Sequence, residues 1–133
     1  MNQKRRFKVD KLIRDRMPDI LGSQDIAIFE RVLEQAEYIE RLKDKLLEET
    51  NEVCEAKSQG DIQEELADVL EVIHALGVAC GLSYEQIDTT RLQKKQKNGG
   101  FEKGIYSACF EMDCDHADVD YYLAKPHKYP ELS

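Results

Sequence analysis

The chain has 133 residues, of which 35% are charged and 41% hydrophobic, and its formal net charge is −8. This length suits a single domain with its own core, and the composition favours a helix-rich globular protein over a disordered one. The acidic balance argues against a duplex nucleic-acid binder, and no apolar run reaches the roughly 20 residues of a membrane span, so we expect a cytoplasmic protein without either partner.

The N-terminal part of the chain begins with two short predicted elements and continues into a long helix. Residues 10–22 have the pattern of a short helix that is interrupted or restarted around Pro18. Residues 25–32 alternate weakly between apolar and polar side chains, which is compatible with a short strand. A helical pattern then runs from about Glu34 to Ser58.

Two further helices are predicted from their end signals. Asp61 opens the second long helix with a capping-box pattern, and Gly81 is expected to stop it. Ser83 and Gln86 repeat the capping-box pattern at the start of a third helix, which is expected to end at Asn98.

The remaining segments complete an all-α prediction, a helical bundle with possibly two short strands. Residues 104–110 have the composition of the second strand, and the acidic segment that follows is expected to form an irregular tail. We therefore predict a domain over residues 1–110 and an acidic C-terminal tail over residues 111–133. Helices of this length present more apolar surface than a lone hairpin covers, so oligomerisation by helix packing is expected.

Two pairs of carboxylates interrupt the apolar faces of the long helices. Glu49 falls within the apolar stripe of the first long helix, and Glu52, three residues further on, flanks that stripe. The second pair has the same i, i+3 spacing. Glu65 and Asp68 are the polar residues on the apolar arc of the next helix. An unpaired buried carboxylate costs several kcal/mol, and hard divalent cations are held by such oxygens together with substrate phosphates. The pattern predicts a Mg²⁺–phosphate site; solvated charges and a structural ion pair are the weaker alternatives.

The sequence around these acids resembles a known family. Glu48-Glu49-Thr50-Asn51-Glu52, followed by Glu65-Leu66-Ala67-Asp68, has the form EExxE…ExxD. This is similar to the signature of the all-α nucleoside triphosphate pyrophosphohydrolases, the superfamily of MazG, dimeric dUTPases and phosphoribosyl-ATP pyrophosphohydrolase. A closer likeness to a small stand-alone MazG-like, house-cleaning subfamily extends over four segments, residues 9–21, 45–53, 64–76 and 98–106.

The resemblance implies a function for each acid. Glu49, Glu52, Glu65 and Asp68 would bind Mg²⁺, with Mn²⁺ as a possible substitute, and Glu48 would be an accessory acid near the site. The implied reaction is hydrolysis between the α- and β-phosphates of a nucleoside triphosphate, which releases the monophosphate and pyrophosphate. The implied catalytic unit is a homodimer or homotetramer.

Cations are also expected to meet the outer phosphates of the substrate. Arg91, Lys94 and Asn98 share one helix face at i, i+3 and i+7, and they are the first candidates. Lys11 and Arg14, also three residues apart, are the second candidates. The alternative for the basic stretch is a solvated helix end, which is favourable near a helix C-terminus.

Two other functions remain open from the sequence. Phosphoribosyl-ATP hydrolysis is the alternative within enzymes, although the N-terminal KLIRD segment points to a different branch. A non-catalytic nucleotide or metal sensor, or a helical interaction module, is the alternative from another class. The complete acid set, with Glu48 retained beside it, favours catalysis over the second alternative.

Overall fold

The computed structural model describes residues 3–133, which contain five helices and no strand. These residues divide into two compact units, one ending at Lys97 and the other comprising Asn98–Ser133. The helices are α1 (Met17–Gly22), α2 (Gln35–Glu55), α3 (Gln59–Ala79), α4 (Tyr84–Asn98) and α5 (Val119–Leu123). The predicted mainly helical architecture is confirmed, and the predicted boundary after residue 110 lies inside the second unit.

The first unit is built around an antiparallel hairpin of α2 and α3. A linker of residues 56–58 joins the two helices. The side-chain amide of Gln35, at the start of α2, donates to the carbonyl of Ala79, at the end of α3, over 2.6 Å. Leu42 and Val72 are the only hydrophobic residues that are buried within the described part of the chain. The hairpin therefore leaves much of its apolar surface uncovered.

The N-terminus of α3 corrects one prediction. The helix begins at Gln59, before the expected start at Asp61, because Ser58 is its N-cap. The Ser58 hydroxyl accepts a hydrogen bond from the Asp61 backbone N–H at 3.0 Å. This satisfies one of the unpaired N–H groups at the helix start. Asp61 thus lies in the first turn, where its charge is favourable.

The connection from α3 to α4 forms as the sequence predicts. Gly81 has φ +79°, which is the left-handed conformation of a Schellman motif. The motif is closed by the Leu82 N–H, which donates to the Gly77 carbonyl at 2.8 Å. Ser83 and Gln86 then form the capping box, with reciprocal hydrogen bonds of 2.8 and 3.1 Å.

These caps turn the chain sharply, since the axes of α3 and α4 meet at 110°. Gly77 is buried, and a Cβ atom there would lie 2.8 Å from Ile87 Cδ1, so the glycine allows α4 to pack closely at this point. Among the described residues no single helix is long and apolar enough to cross a membrane; only α3 and α4 taken together, as a bent pair, meet that test.

Both strand predictions are wrong. Residues 25–32 and 104–110, where the strands were predicted, form only turns, bends and irregular structure, and residues 3–133 contain no strand. A weak alternation does not make a strand when no second strand supplies the backbone partners. The predicted N-terminal helix is shorter than expected: α1 begins only at Met17, with Pro18 in its first turn, where a missing N–H costs little.

The second unit contains structure that the sequence analysis did not predict. The helix α5 interrupts the expected irregular tail. Tyr122 packs edge-on against Tyr129 with ring centroids 4.9 Å apart, and Phe110 lies 6.2 Å from the Tyr122 ring. These aromatic contacts provide the apolar packing that orders the segment around α5.

Candidate metal centre

Three carboxylates from the α2–α3 hairpin converge. One oxygen from each of Glu49, Glu65 and Asp68 lies within 4.8 Å of the other two. Glu49 is the most deeply placed, being 9% exposed, as its position in the apolar stripe predicts. We call these three residues the acidic trio. Because the helices are antiparallel neighbours, acids near the middle of each meet across the hairpin.

Mutual repulsion is visible at Glu65. Its carboxyl pKa is raised above the usual value by desolvation and then by the charges of Asp68, Glu52 and Glu49. Glu52 lies outside the trio, although its carboxylate is near enough to contribute to this repulsion. The geometry thus gathers three of the four predicted ligands, and the role of Glu52 as a ligand stays a prediction.

The N-terminal segment brings two cations to the acids. Arg14 donates to Asp68 Oδ1 at 2.7 Å, and Lys11 donates to Glu48 Oε1 at 2.9 Å. The Lys11 pKa is raised chiefly by this hydrogen bond, with smaller contributions from the charges of Glu49 and Glu52. Of the second pair of predicted phosphate-binding residues, Arg14 therefore contacts a predicted metal ligand and Lys11 contacts the predicted accessory acid.

Lys45 is a site residue that the sequence analysis missed. Its Nζ lies 3.2 Å from Glu49 Oε1 and 3.3 Å from Glu48 Oε2. The signal was present in the sequence, because a lysine three and four residues before two glutamates shares their helix face.

Glu48 connects these two sources of positive charge. Burial would raise its pKa, but hydrogen bonds from Lys11 and Lys45 more than offset that effect, so the pKa is lowered. Glu48 is therefore held ionised, with one carboxylate oxygen on each lysine. An ionised carboxylate accepts protons and hydrogen bonds and donates none.

An open pocket of about 290 Å³ lies beside Glu48. Its walls are the N-terminal segment on one side and α2 on the other. The lining residues are Val9, Asp10, Lys11, Leu12, Arg41, Asp44, Lys45 and Glu48. A polar ligand of modest size can thus reach the lysines and Glu48 from solvent.

The first choice of phosphate-binding residues is placed differently. Arg91 pairs with Asp88 of its own helix, with Nε 2.7 Å from the carboxylate oxygen. Lys94 is exposed, and Asn98 is the exposed last residue of α4. Within residues 3–97, Lys11 and Arg14 contact acids of the site, whereas Arg91 contacts Asp88. A phosphate-binding role for Arg91, Lys94 and Asn98 stays a prediction.

The donor set fits a divalent metal ion. All three members of the trio offer hard carboxylate oxygens, the ligand type that Mg²⁺ and Mn²⁺ prefer. Desolvation and the charges of neighbouring acids raise the Glu65 pKa, and an added cation would stabilise its ionised form. With all groups charged, five carboxylates (Glu48, Glu49, Glu52, Glu65 and Asp68) and three cations (Lys11, Arg14 and Lys45) give a net charge of −2. One divalent ion would balance it.

A helical hairpin that carries an acidic trio between its two helices defines the class of this protein as an all-α protein with a candidate divalent-metal site. A profile of the MazG-like family matches residues 32–108, more than half of the chain. The chain belongs to the MazG-like family. Members of this family are generally nucleotide pyrophosphohydrolases and typically use a divalent metal, which supports a hydrolase activity at that general level. No curated protein and no solved structure matches the chain.

Proposed function

We propose that this protein is a Mg²⁺-dependent nucleoside triphosphate pyrophosphohydrolase that releases a nucleoside monophosphate and pyrophosphate, with removal of non-standard nucleotides as its cellular use. The observation that carries the proposal is the convergence of the acidic trio with Arg14 and Lys11 at one site. Phosphoryl transfer without a covalent enzyme intermediate depends on positioning and on charge stabilisation. Carboxylates that bind the metal and cations that bind the phosphates supply both.

Glu49, Glu65 and Asp68 would hold the metal ion, with Glu52 completing the set from the flank. When bound, Mg²⁺ neutralises charge on the phosphate oxygens and lowers the pKa of a coordinated water. The chain itself contributes the fixed helix positions of these ligands, which hold the scissile phosphates and the attacking water close together.

Glu48 is suited to orient the attacking water and to accept its proton. Its lowered pKa keeps the carboxylate ionised, and it lies next to Glu49 in sequence but outside the trio. A group that takes a proton from water must be unprotonated before the reaction. Glu48 meets that condition because its two lysine partners hold it ionised, and its place outside the acidic trio leaves it available to the water.

Lys11 and Arg14 would bind the outer phosphates. Their side chains are 47% and 60% exposed, so both can turn from a carboxylate to an incoming phosphate oxygen without leaving solvent. Arg14 can bind a phosphate through two N–H groups at once. Arg14 would be attracted less strongly to an Asp68 carboxylate that also held a metal ion, which would favour the exchange.

We also propose that the working form is a homodimer or homotetramer. Large apolar side chains on both helices of the hairpin remain exposed, namely Leu47, Leu66, Leu70 and Val78. Packing a second hairpin against them would remove this surface from water at about 25 cal/mol per Å². Light scattering coupled to size exclusion tests the proposal, since a monomeric mass at micromolar concentration would contradict it.

The experiment that tests the enzyme is a panel of standard and modified ribo- and deoxyribonucleoside triphosphates with Mg²⁺. Chromatography should show monophosphate and pyrophosphate, as opposed to diphosphate and phosphate, from at least one member. Glu65→Gln should abolish the reaction, whereas Glu71→Gln, an exposed glutamate of the same helix, should leave it intact. If no panel member is hydrolysed, or if Glu65→Gln is as active as Glu71→Gln, the proposal is wrong.

A further inference from the structure

Lys45 differs from the other two cations of the site in origin and in setting. It lies on α2 itself, one turn before the glutamates that it contacts, whereas Lys11 and Arg14 come from the irregular N-terminal segment. Its side chain is 18% exposed, far less than theirs. A cation that is shielded from water and attached to a helix has little freedom to follow a phosphate.

The contacts of Lys45 fix two carboxylates at once. Its Nζ lies between Glu48 Oε2 and Glu49 Oε1, so it contacts one oxygen of each glutamate. The second oxygen of each carboxylate can bind a different group. Glu48 uses its second oxygen for Lys11. Glutamate side chains otherwise lose substantial rotamer entropy when ordered, and two adjacent carboxylates repel each other. The attraction of a shared ammonium group to both carboxylates offsets these costs.

We propose that Lys45 is a positioning residue, which orients Glu48 and Glu49 for catalysis and keeps its place when substrate arrives. The inference rests on the proposed pyrophosphohydrolase function. Its positive charge also opposes the approach of a metal ion to Glu49, so Lys45 improves geometry at the expense of metal affinity. That combination separates an orienting role from a purely structural one, because loss of structure would weaken metal binding and catalysis together.

The test compares three variants of the full chain. Lys45→Met removes the charge with little change in length, Lys45→Arg retains the charge, and Lys43→Met is the matched control. Lys43 is 57% exposed on the same helix and contacts Glu40. Calorimetric titration with Mg²⁺ alone gives metal affinity, steady-state pyrophosphate release from the best panel substrate gives kcat and KM, and circular dichroism checks helix content.

We expect Lys45→Met to lower kcat by about 10-fold or more, because misplaced catalytic groups are costly. KM should stay within about twofold of wild type, and Mg²⁺ should bind about threefold more tightly or better. Lys45→Arg should recover most of kcat, and Lys43→Met should match wild type.

Three results would overturn the inference. The first is a wild-type kcat in Lys45→Met, the second is an unchanged Mg²⁺ affinity in that variant, and the third is an equal loss in Lys45→Met and Lys45→Arg with reduced helix content. Failure of the proposed function is seen separately, as an absence of turnover by wild-type protein. In that event the Mg²⁺ titration of Lys45→Met against Lys43→Met still decides whether Lys45 influences the metal site.

Discussion

Mg²⁺ should stabilise the folded chain, and Glu49→Gln should remove about half of that effect or more. Glu49 is the most buried member of the acidic trio, and the change to glutamine keeps its shape while deleting one negative charge. A metal ion that binds only the folded state adds RT ln(1 + [Mg²⁺]/Kd), which is about 2.7 kcal/mol at 100 times Kd. If losing this ligand weakens binding by about 10- to 100-fold, the gain at the same Mg²⁺ concentration falls to about 1.4–0.4 kcal/mol.

The assay is urea unfolding followed by circular dichroism, in EDTA and in a fixed excess of Mg²⁺. Protein concentration must be constant, because an oligomer is stabilised by its own concentration. Glu55→Gln is the matched control, since Glu55 is an exposed residue of the same helix outside the trio. The reasoning is refuted if Glu49→Gln gains as much stability from Mg²⁺ as wild type does, or if Glu55→Gln loses the gain equally.

Three further predictions follow from the same geometry. Lys11→Met and Arg14→Met should each raise KM for the triphosphate by about 10-fold. Lys8→Met, a change at an exposed lysine paired with Asp10, should leave KM unchanged. Equal KM values in all three variants would contradict phosphate binding by the N-terminal segment. In EDTA, the pKa of Glu65 is higher in the folded chain than the usual carboxyl pKa of 4.5, so protonation of this group stabilises the folded state. This contribution to the free energy of unfolding is complete below pH 4.5 and is lost as the pH rises through the folded-state pKa. The stability of Glu65→Gln relative to wild type should therefore increase with pH in urea unfolding, and a difference that is constant with pH would refute it. Gly60→Ala should stabilise α3 by about 0.5–1 kcal/mol through helix propensity. Gly77→Ala should give no such gain, because its Cβ atom would meet the Ile87 side chain and the Leu82 carbonyl. Equal gains of the two variants in thermal melts would contradict this packing.

The sequence was most informative where the signal is local. Ser83 with Gln86, and Gly81 before them, define the turn into α4 by hydrogen bonds among near neighbours, and the structure forms those bonds. Glu49 stood out because helical periodicity places it among apolar residues, and it is buried. Such signals depend on a few adjacent residues, so one sequence is sufficient to read them.

The predictions that failed depended on distant partners. Residues 25–32 alternate as a strand does, but a strand requires a second strand to pair with, and sequence alternation does not report one. The contacts of Lys11 and Arg14 span 37 and 54 residues, so their closeness to the acids could be expected only from the resemblance and not from spacing.

The short linker between α2 and α3 has a consequence for the order in which the site assembles. Because residues 56–58 alone separate the two helices, the acidic trio is drawn from one local stretch of chain. Contacts close in sequence pay little loop-closure entropy and form rapidly, whereas those of Lys11 and Arg14 pay more. We therefore expect the carboxylates to meet before their N-terminal counterions arrive during folding. On that order of events, the hairpin would be at its most electronegative just after it forms, and a free divalent ion would be attracted to it most strongly at that moment.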